Sequence, residues 1–288
     1  MICGRLSKRS FRHLWQATDL IKERMLNLFG KTMTSDLCRK LALIDEHKAK
    51  LDAARPLPKN TVASLREKIA LDWTYHSNAI EGNTLTLRET KVVLEGITVG
   101  GKSIREHFEA TNHRDAIFYV EEIVSKHETL SEWQIKNLHH LVLNGIDQQE
   151  AGRYRRENMV IAGASTTPPD HLHLNDEMQR LMAWYESDTA RELHAIERAA
   201  ELHTRFVKIH PFVDGNGRTG RLLLNFELMK AGYPPAVIQK EDRLAYYDAL
   251  DMVCLEGKYD AITELVADAV ERSLAIYLSV LSTALIRK

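Results

Sequence analysis

The sequence predicts an all-α protein, a helical bundle with one small β-hairpin. Two observations lead to this prediction. Apolar residues recur every three to four positions through most of the 288 residues, which is the spacing of amphipathic helices. One short run, Met159-Val160-Ile161, is instead typical of a strand, and turn-forming residues follow it. We therefore expect a loop or small hairpin within residues 150–172 and helices elsewhere.

The first half of the chain is predicted to form five helices, at residues 37–54, 61–80, 86–95, 103–126 and 131–143. The proline-containing stretch 55–60 separates the first two, and Glu81-Gly82-Asn83 ends the second. Ser131 followed by Gln134 matches the capping box that begins a helix.

The second half is predicted to form helices at residues 175–186, 189–209 and 222–229. Pro211 disfavours helix at His210, so the long helix should end there. Gly232 and the following prolines close the last of these helices.

Composition and charge exclude several classes of protein. Lys plus Arg number 39 and Asp plus Glu number 40, so the net charge of −1 argues against a wholly basic nucleic-acid-coating protein and against an acidic disordered chain. Three widely spaced cysteines indicate neither a disulfide framework nor a cysteine zinc site. No stretch reaches the ~18 apolar residues of a membrane span, and no apolar segment follows the basic N-terminus. We expect a cytoplasmic protein.

Residues 210–221 form the segment with the strongest chemical pattern. They read His-Pro-Phe-Val-Asp-Gly-Asn-Gly-Arg-Thr-Gly-Arg. Gly215-Asn216-Gly217 tolerate positive φ and can turn successive N–H groups inward. A helix follows directly, and a helix N-terminus favours phosphate. The segment is therefore predicted to cradle an anion.

The charged residues of the same segment fit nucleotide chemistry. Arg218 and Arg221 are cationic forks suited to phosphate oxygens. Asp214 is a hard oxygen ligand suited to Mg²⁺, and His210 is a base that titrates near neutral pH. A base, a metal ligand, a cradle and two arginines in one loop indicate phosphate-ester chemistry on a nucleotide.

This segment resembles the signature HPFx[D/E]GNGRxxR of the Fic family, with every specified position present, and the resemblance extends over roughly residues 65–270. It implies a Fic-fold helical bundle that transfers AMP from ATP to a Ser, Thr or Tyr hydroxyl of a target protein. By this resemblance, His210 takes the hydroxyl proton and Asp214 holds Mg²⁺. The ATP-binding residues would be Gly215, Asn216, Gly217, Arg218, Arg221 and Tyr246, the last packing near the adenine.

A second motif resembles the inhibitory helix of some Fic proteins, [S/T]xxxE[G/N]. Here it reads Ser77-Asn78-Ala79-Ile80-Glu81-Gly82. In the family this glutamate pairs with the second arginine of the signature, here Arg221, which otherwise holds the ATP γ-phosphate. The resemblance therefore implies autoinhibition, with self-modification once Glu81 is displaced.

The resemblance also suggests how a target and a second copy bind. Residues Ile161, Ala162, Gly163, Ala164, Ser165 and Thr166 resemble the flap that aligns a target segment by β-augmentation. A homodimer is expected, since the family often forms one. We divide the chain into an N-terminal helical segment of unknown role (1–60), an inhibitory-helix region (61–95) and a catalytic core (96–288).

Four alternatives stay open from the sequence. Residues 96–103 satisfy the P-loop pattern G-x-x-x-x-G-K-[S/T], although a helix rather than a strand is predicted before them. Thirteen histidines, His139-His140 among them, could belong to a zinc hydrolase, but no H-E-x-x-H motif is present. Glu81 could position a water for removing AMP from a protein. The site could also be permanently silenced in a regulatory binding module, whose basic segment at residues 1–40 would contact DNA or a partner.

Overall fold

The computed structural model describes residues 34–285, and side chains to residue 281. Eleven α-helices lie within this range: α1 Ser35–Ala53, α2 Lys59–Ile80, α3 Leu87–Leu94, α4 Ile104–Ser125, α5 Glu132–Val142, α6 Leu174–Glu186, α7 Asp188–Arg191, α8 Ala195–Ile209, α9 Asn216–Lys230, α10 Arg243–Glu256 and α11 Asp260–Leu285. Short 3₁₀ turns occupy His171–His173 and Lys240–Asp242. The all-α prediction is confirmed.

Helix α9 is the centre of the bundle. It is buried along almost its whole length and packs against α8, α4 and α5. Gly220 permits the close approach of α8, because a Cβ at this position would lie 2.8 Å from Val207 and 2.9 Å from His203. The N-terminal end of α9 is thereby set deep among three other helices, and this end forms the site described below.

The predicted hairpin is not formed. No residue between 34 and 285 lies in a β-strand, and residues 157–169 follow an irregular path with one turn, Ala164 N–H to the Ile161 carbonyl at 3.2 Å. A strand needs a ladder of backbone partners. Gly163 and the proline pair at 168–169 interrupt the segment after only three β-prone residues.

Three local predictions were wrong in detail. Ser131 makes no capping bond to the backbone of α5, since its hydroxyl contacts the Gln134 side chain instead. The helix predicted at 189–209 is two helices, because the ring of His194 accepts from the Ile196 amide and begins α8 anew. Helix α9 begins at Asn216, six residues before the prediction, so Gly217 lies inside its first turn.

The P-loop alternative does not fit the structure. Residues 96–103 follow helix α3 rather than a strand. Lys102 donates from Nζ to the Thr84 carbonyl at 2.6 Å, so it ties two helix-connecting segments together. The zinc alternative also finds no support in the described part of the chain, which holds no group of three or more potential metal-binding side chains.

The compact unit that contains the site runs from Lys40 onward. The division of the chain at residues 60 and 95 remains a prediction, and residues 1–33 lie outside the described range. None of the helices between 34 and 285 has the length and apolar character needed to cross a membrane.

Candidate active site

His210 ends helix α8 in the left-handed conformation, with φ 50° and ψ 57°. The proline that follows forbids a further helical turn, and the His210 amide makes the last helical bond, to the Phe206 carbonyl at 3.1 Å. Burial lowers the pKa of the His210 imidazole below its ordinary value, and the charge of Arg155 lowers it further. The imidazole is therefore neutral at pH 7 and able to accept a proton.

The loop after His210 is closed by Asn216. Its side-chain oxygen accepts from the Phe212 amide at 2.9 Å, and its side-chain nitrogen donates to the Phe212 carbonyl at 2.8 Å. Both side-chain groups of Asn216 are thus engaged within the loop. Phe212 is fully buried, so this pair of bonds anchors the loop to the core.

His139, on α5, supports the loop from below. Its ring stacks on Phe212 with centroids 3.5 Å apart and planes 2° apart. Its Nδ1 accepts from the Gly152 amide at 2.9 Å, so Nε2 carries the hydrogen and donates to the Asp214 carbonyl at 2.8 Å. The zinc alternative included this histidine, but the structure makes it a positioning residue for the loop. The sequence feature that could have identified His139 is its position on the buried face of a helix.

The predicted anion cradle falls on the first turn of α9. Gly215 precedes the helix with φ 78° and has no side chain with which to cap it. The amides of the first turn have no acceptor within the helix. A Cβ at Gly217 would lie 2.1 Å from Oε1 of Glu81, so the carboxylate of Glu81 lies directly over this turn.

Asp214 stands beside the cradle. Its Oδ1 accepts from the Gly215 amide at 2.5 Å and lies 3.2 Å from Arg218, while Arg105 contacts its Oδ2. Burial raises the pKa of this carboxyl, but Arg218, the Gly215 amide and Arg105 outweigh that effect and hold the pKa below its ordinary value. Asp214 is therefore ionised, and 44% of its side chain is exposed.

Arg218 is almost completely buried, at 2% exposure. Besides Asp214, it faces Glu109 of α4, with Nη1 3.5 Å from Oε1. The same glutamate accepts from Asn83 at 2.9 Å. Through Arg218, Glu109 thus connects residues 210–221, which contain the proposed catalytic loop, with the segment that follows Glu81, a link that the sequence did not reveal.

Arg221 is captured by helix α2. Its Nη2 donates to Oε1 of Glu81 at 2.7 Å and to the Ser77 carbonyl at 2.8 Å, and its Nε donates to the Ser77 hydroxyl at 3.0 Å. Burial alone would lower the pKa of this guanidinium, but Glu81 and Tyr246 raise it. The structure thus brings together Ser77, Glu81 and Arg221, which the two motifs had placed 144 residues apart.

The end of α2 is fixed by its surroundings. Gly82 turns the chain with φ 98°, a conformation that residue types other than glycine rarely adopt. Tyr247 of α10 donates to the Ile80 carbonyl at 3.3 Å, and the Asn83 side chain donates to the Glu106 carbonyl at 3.2 Å. The carboxylate of Glu81 is therefore presented from an anchored helix terminus.

Tyr246 lies beneath Arg221 rather than on an open surface. Only 1% of it is exposed, and its hydroxyl lies 2.8 Å from His203 and 3.5 Å from Arg221. The neighbouring Tyr247 is 37% exposed. In this structure Tyr246 supports an arginine of the site, and its contact with adenine remains a prediction.

The predicted flap residues, 161–166, are exposed or half-buried. At the tip, Ser165 donates to Asp251 of α10, from its hydroxyl at 2.7 Å and from its amide at 3.3 Å. At the base, the guanidinium of Arg155 binds the carbonyls of Glu157 and Pro169. The sequence had given no role to Arg155 or Asp251.

Fold and site together define a helical protein with a His-Pro loop, a glycine-containing first turn on the helix that follows, and an earlier helix that presents a glutamate to the second arginine. Residues 129–228 match the Fic/DOC family. The chain is 37% identical over 273 residues to the protein adenylyltransferase Fic of Drosophila willistoni, covering 93% of this chain and 54% of that protein. It is 39% identical over 243 residues to the protein of the same name from Drosophila grimshawi, covering 83% and 49%. The chain spans about half the length of these curated relatives.

Solved structures agree with the sequence matches. Fic-1 (residues 134–508) of C. elegans superimposes with a TM-score of 0.78 at 29% identity, covering 93% of this chain and 78% of that one. A Fic-domain-containing signalling protein of Bacteroides thetaiotaomicron gives 0.76 at 29% identity, covering 81% and 94%. Residues 129–228 of the chain thus form a Fic/DOC domain, and the described helices share the fold of solved Fic proteins.

Proposed function

We propose that this chain is a protein adenylyltransferase whose active site is held inhibited by Glu81. It would transfer AMP from ATP to the hydroxyl of a Ser, Thr or Tyr in a target protein. One observation carries the proposal: the carboxylate of Glu81 lies over the first turn of α9 and on Arg221, where the site is otherwise arranged for phosphate. The names of the Drosophila relatives support the reaction class.

The reaction follows from the placement of His210. The neutral imidazole accepts the proton of the target hydroxyl as its oxygen attacks the α-phosphorus of ATP. A bond forms between that oxygen and the α-phosphorus, the bond from the α-phosphorus to its bridging oxygen breaks, and pyrophosphate leaves. The amides of Gly215, Asn216 and Gly217 and the guanidinium of Arg218 stabilise the negative charge that develops.

The acidic residue of the loop fits a magnesium ion. Asp214 is ionised and nearly half exposed. Mg²⁺ is usually held by one or two carboxylates together with substrate phosphates, so a lone carboxylate beside an anion cradle is the expected donor set. When bound, Mg²⁺ would neutralise charge on the phosphates. Arg105 contacts both Asp214 and Glu109 in this structure. With Mg²⁺ on Asp214, Arg105 would keep its ion pair with Glu109 alone.

Inhibition would act through Arg221. The γ-phosphate of ATP needs this guanidinium, which is bound by Glu81 and Ser77. ATP that binds without it would place its α-phosphorus wrongly for attack. Because only Oε1 of Glu81 meets Arg221 and 34% of the side chain is exposed, the carboxylate can be displaced without unfolding α2.

The same exposure favours a second candidate function. A partly exposed carboxylate over the cradle could hold a water for hydrolysis of an AMP-modified hydroxyl, which is removal of AMP. In that case Glu81 would be needed for the reaction rather than opposed to it, so the two candidates predict opposite effects of changing Glu81.

The target and the oligomeric state belong to the same proposal. A target segment would lie along residues 161–166. A homodimer would cover apolar side chains on either side of the Gly100-Gly101 turn, where Ile97 is 57% and Ile104 65% exposed. Light scattering on the purified chain would separate a dimer from a monomer.

The test is self-labelling with ATP labelled at the α-phosphate, in the presence of Mg²⁺. Wild type is compared with Glu81→Gly and with the double variant Glu81→Gly, His210→Ala. We expect label on Glu81→Gly alone, at least about tenfold above wild type, since loss of a coupling contact is worth 1–3 kcal/mol. Intact mass should show one or more added AMP groups.

Two controls separate the alternatives. Glu81→Gln keeps the shape of the side chain but removes the charge that holds Arg221, so it should also label. Protein labelled by Glu81→Gly is then purified and mixed with unlabelled wild type. Release of AMP by wild type, absent with the Glu81→Gln variant, would favour removal of AMP. No label on any variant, with ATP binding intact, would favour the silenced binding module.

A further inference from the structure

Arg155 lies between the flap and the catalytic loop, and it is buried at 2% exposure. Its Nε donates to the His210 carbonyl at 2.9 Å. Its two terminal nitrogens donate to the Glu157 carbonyl at 2.8 Å and to the Pro169 carbonyl at 2.5 Å. One planar group therefore contacts the residue proposed as the base and both ends of the segment 157–169, which contains the flap.

The contacts of this guanidinium differ from those of a structural ion pair. All three acceptors are backbone carbonyls, and burial lowers the pKa of Arg155, with only the charge of Asp170 opposing. Three acceptors from separate parts of the chain match the fixed fork of a guanidinium, which a lysine cannot reproduce. Arginine is therefore the side chain that can make all three of these contacts.

The geometry also restrains His210. A non-glycine residue in the left-handed region is strained and persists only when its surroundings hold it there. At His210 the amide is bound by Phe206, and the carbonyl is bound by Arg155. The next carbonyl, of Pro211, accepts from the backbone amide of Arg155 at 2.9 Å. Arg155 thus holds two consecutive carbonyls of the catalytic loop.

The flap has other ties, but they run elsewhere. Asn158 donates to Asp170 at 2.9 Å and accepts from the His171 amide at 2.8 Å. These bonds join the two ends of the segment that contains the flap. Ser165 binds Asp251 at the tip. Among the described contacts of the flap, those of Arg155 are the ones that reach His210.

We propose that Arg155 is a positioning residue that couples the flap to His210. One guanidinium then fixes the position of the target segment on the flap relative to the base that deprotonates it. The proposal rests on the proposed function, because it assigns the flap to target binding. It does not involve the phosphate cradle, since none of the three contacts touches residues 215–221.

The test compares Arg155→Lys with Arg156→Lys, both in the Glu81→Gly background. Arg156 is the adjacent arginine, but its side chain is 74% exposed and pairs with Glu150. For Arg155→Lys we expect kcat for AMP transfer to fall about 10- to 100-fold, the effect of a small misplacement of reacting groups. ATP affinity by calorimetry should stay within about twofold, since uniform binding is untouched. Arg156→Lys should match its parent in both.

Hydrogen exchange, measured without ATP, gives a readout independent of activity. In Arg155→Lys, amides of residues 157–169 and the amides of His210 and Phe212 should exchange faster together. Ser165→Ala, which loosens the tip but keeps Arg155, should affect the flap alone. Faster exchange in Arg155→Lys confined to the flap, or unchanged kcat, would overturn the coupling.

Two further outcomes are decisive. If Arg155→Lys does not fold, Arg155→Gln is measured in the same way, and failure of both to fold would assign the residue to folding and overturn the proposal. If the Glu81→Gly parent transfers no AMP, the proposed function fails, while the exchange experiment still decides whether the flap and His210 are coupled.

Discussion

The loop between α8 and α9 and the segment that contains the flap are both irregular, yet they are held in different ways. In the loop, Asn216 bonds twice to Phe212, and Phe212 stacks on His139. Each of these side chains is buried. The flap is instead bound at its base by Arg155 and at its tip by Ser165, with exposed residues between.

This difference explains why one segment has a diagnostic sequence and the other does not. Bonds from buried side chains to the backbone require particular residue types, because a buried polar group without a partner is costly. A segment held at its ends can vary between them. The loop thus specifies its residues at nearly every position, while the flap specifies its anchors.

The largest expected effect concerns His210, which is the proposed base and lies at the start of the loop. His210→Ala in the Glu81→Gly background should lower the rate of AMP transfer about 10²- to 10⁴-fold, the usual contribution of a general base. ATP affinity and the melting temperature should stay near those of the parent, because the side chain does not hold the loop. The measurement is a timed transfer assay with labelled ATP. A loss of less than tenfold would assign the base to another group.

The next effect tests whether the loop is held by its asparagine. Asn216→Ala leaves the buried amide and carbonyl of Phe212 without side-chain partners, and we expect a loss of about 2–4 kcal/mol in the free energy of unfolding. AMP transfer should fall as well, since Asp214 and the cradle lose their positions relative to His210. Urea unfolding and the transfer assay measure the two effects.

Asn225 provides a matched control on the same helix. It makes the same pair of bonds, with the amide and carbonyl of Ala236, at 2.6 and 2.9 Å, and it is equally buried. Asn225→Ala should lose similar stability while keeping transfer at temperatures where it is folded. Equal loss of transfer in both variants would mean that the loop has no special dependence on Asn216.

Much of the fold and the site could be predicted from the sequence, because both depend on local patterns. The helical spacing located most helices, and Pro211 correctly ended α8 at His210. The motif at 77–82 and the loop at 210–221 come together in space, with Glu81 on Arg221 as the motifs implied.

What the sequence missed depends on contacts between distant segments. Arg155, His139 and Glu109 act through residues about 55, 75 and 109 positions away or through packing, and none lies in a recognisable motif. The flap was given a hairpin because β-branched residues favour strands, but the described chain supplies no partner strand. The box predicted at Ser131 failed because its hydroxyl met a side chain instead of the backbone.

A smaller effect, on stability, comes from the histidine beneath the loop. Burial lowers the pKa of His139 to about 4, against 6.5 for the free side chain. Between these two pKa values the unfolded chain binds a proton at this histidine and the folded protein does not. The contribution of His139 to the free energy of unfolding is therefore fully present above pH 6.5 and is lost as the pH falls towards 4. At about 1.4 kcal/mol per unit, this histidine accounts for roughly 3 kcal/mol of that loss at most.

His139→Gln should flatten this dependence, since an amide can still bond to Gly152 and Asp214 but does not titrate. The measurement is the free energy of unfolding in urea across this pH range. His140→Gln, at the exposed neighbouring position, is the control and should follow wild type. Parallel curves for wild type and His139→Gln would show that the loop support does not depend on a neutral histidine.

The smallest expected effect lies at the flap tip. Ser165→Ala removes the 2.7 Å bond to Asp251 but keeps the bond from the amide and every contact of Arg155. Because an exposed hydrogen bond is worth about 1 kcal/mol or less, we expect the KM for a protein target to change no more than about fivefold, with kcat and ATP affinity unchanged. Asp251→Asn, which keeps an acceptor, should change it less. A fall in kcat of the size expected for Arg155→Lys would mean that the tip, and not the base, sets the position of the flap, and the contrast between a firmly held loop and an end-anchored flap would then fail.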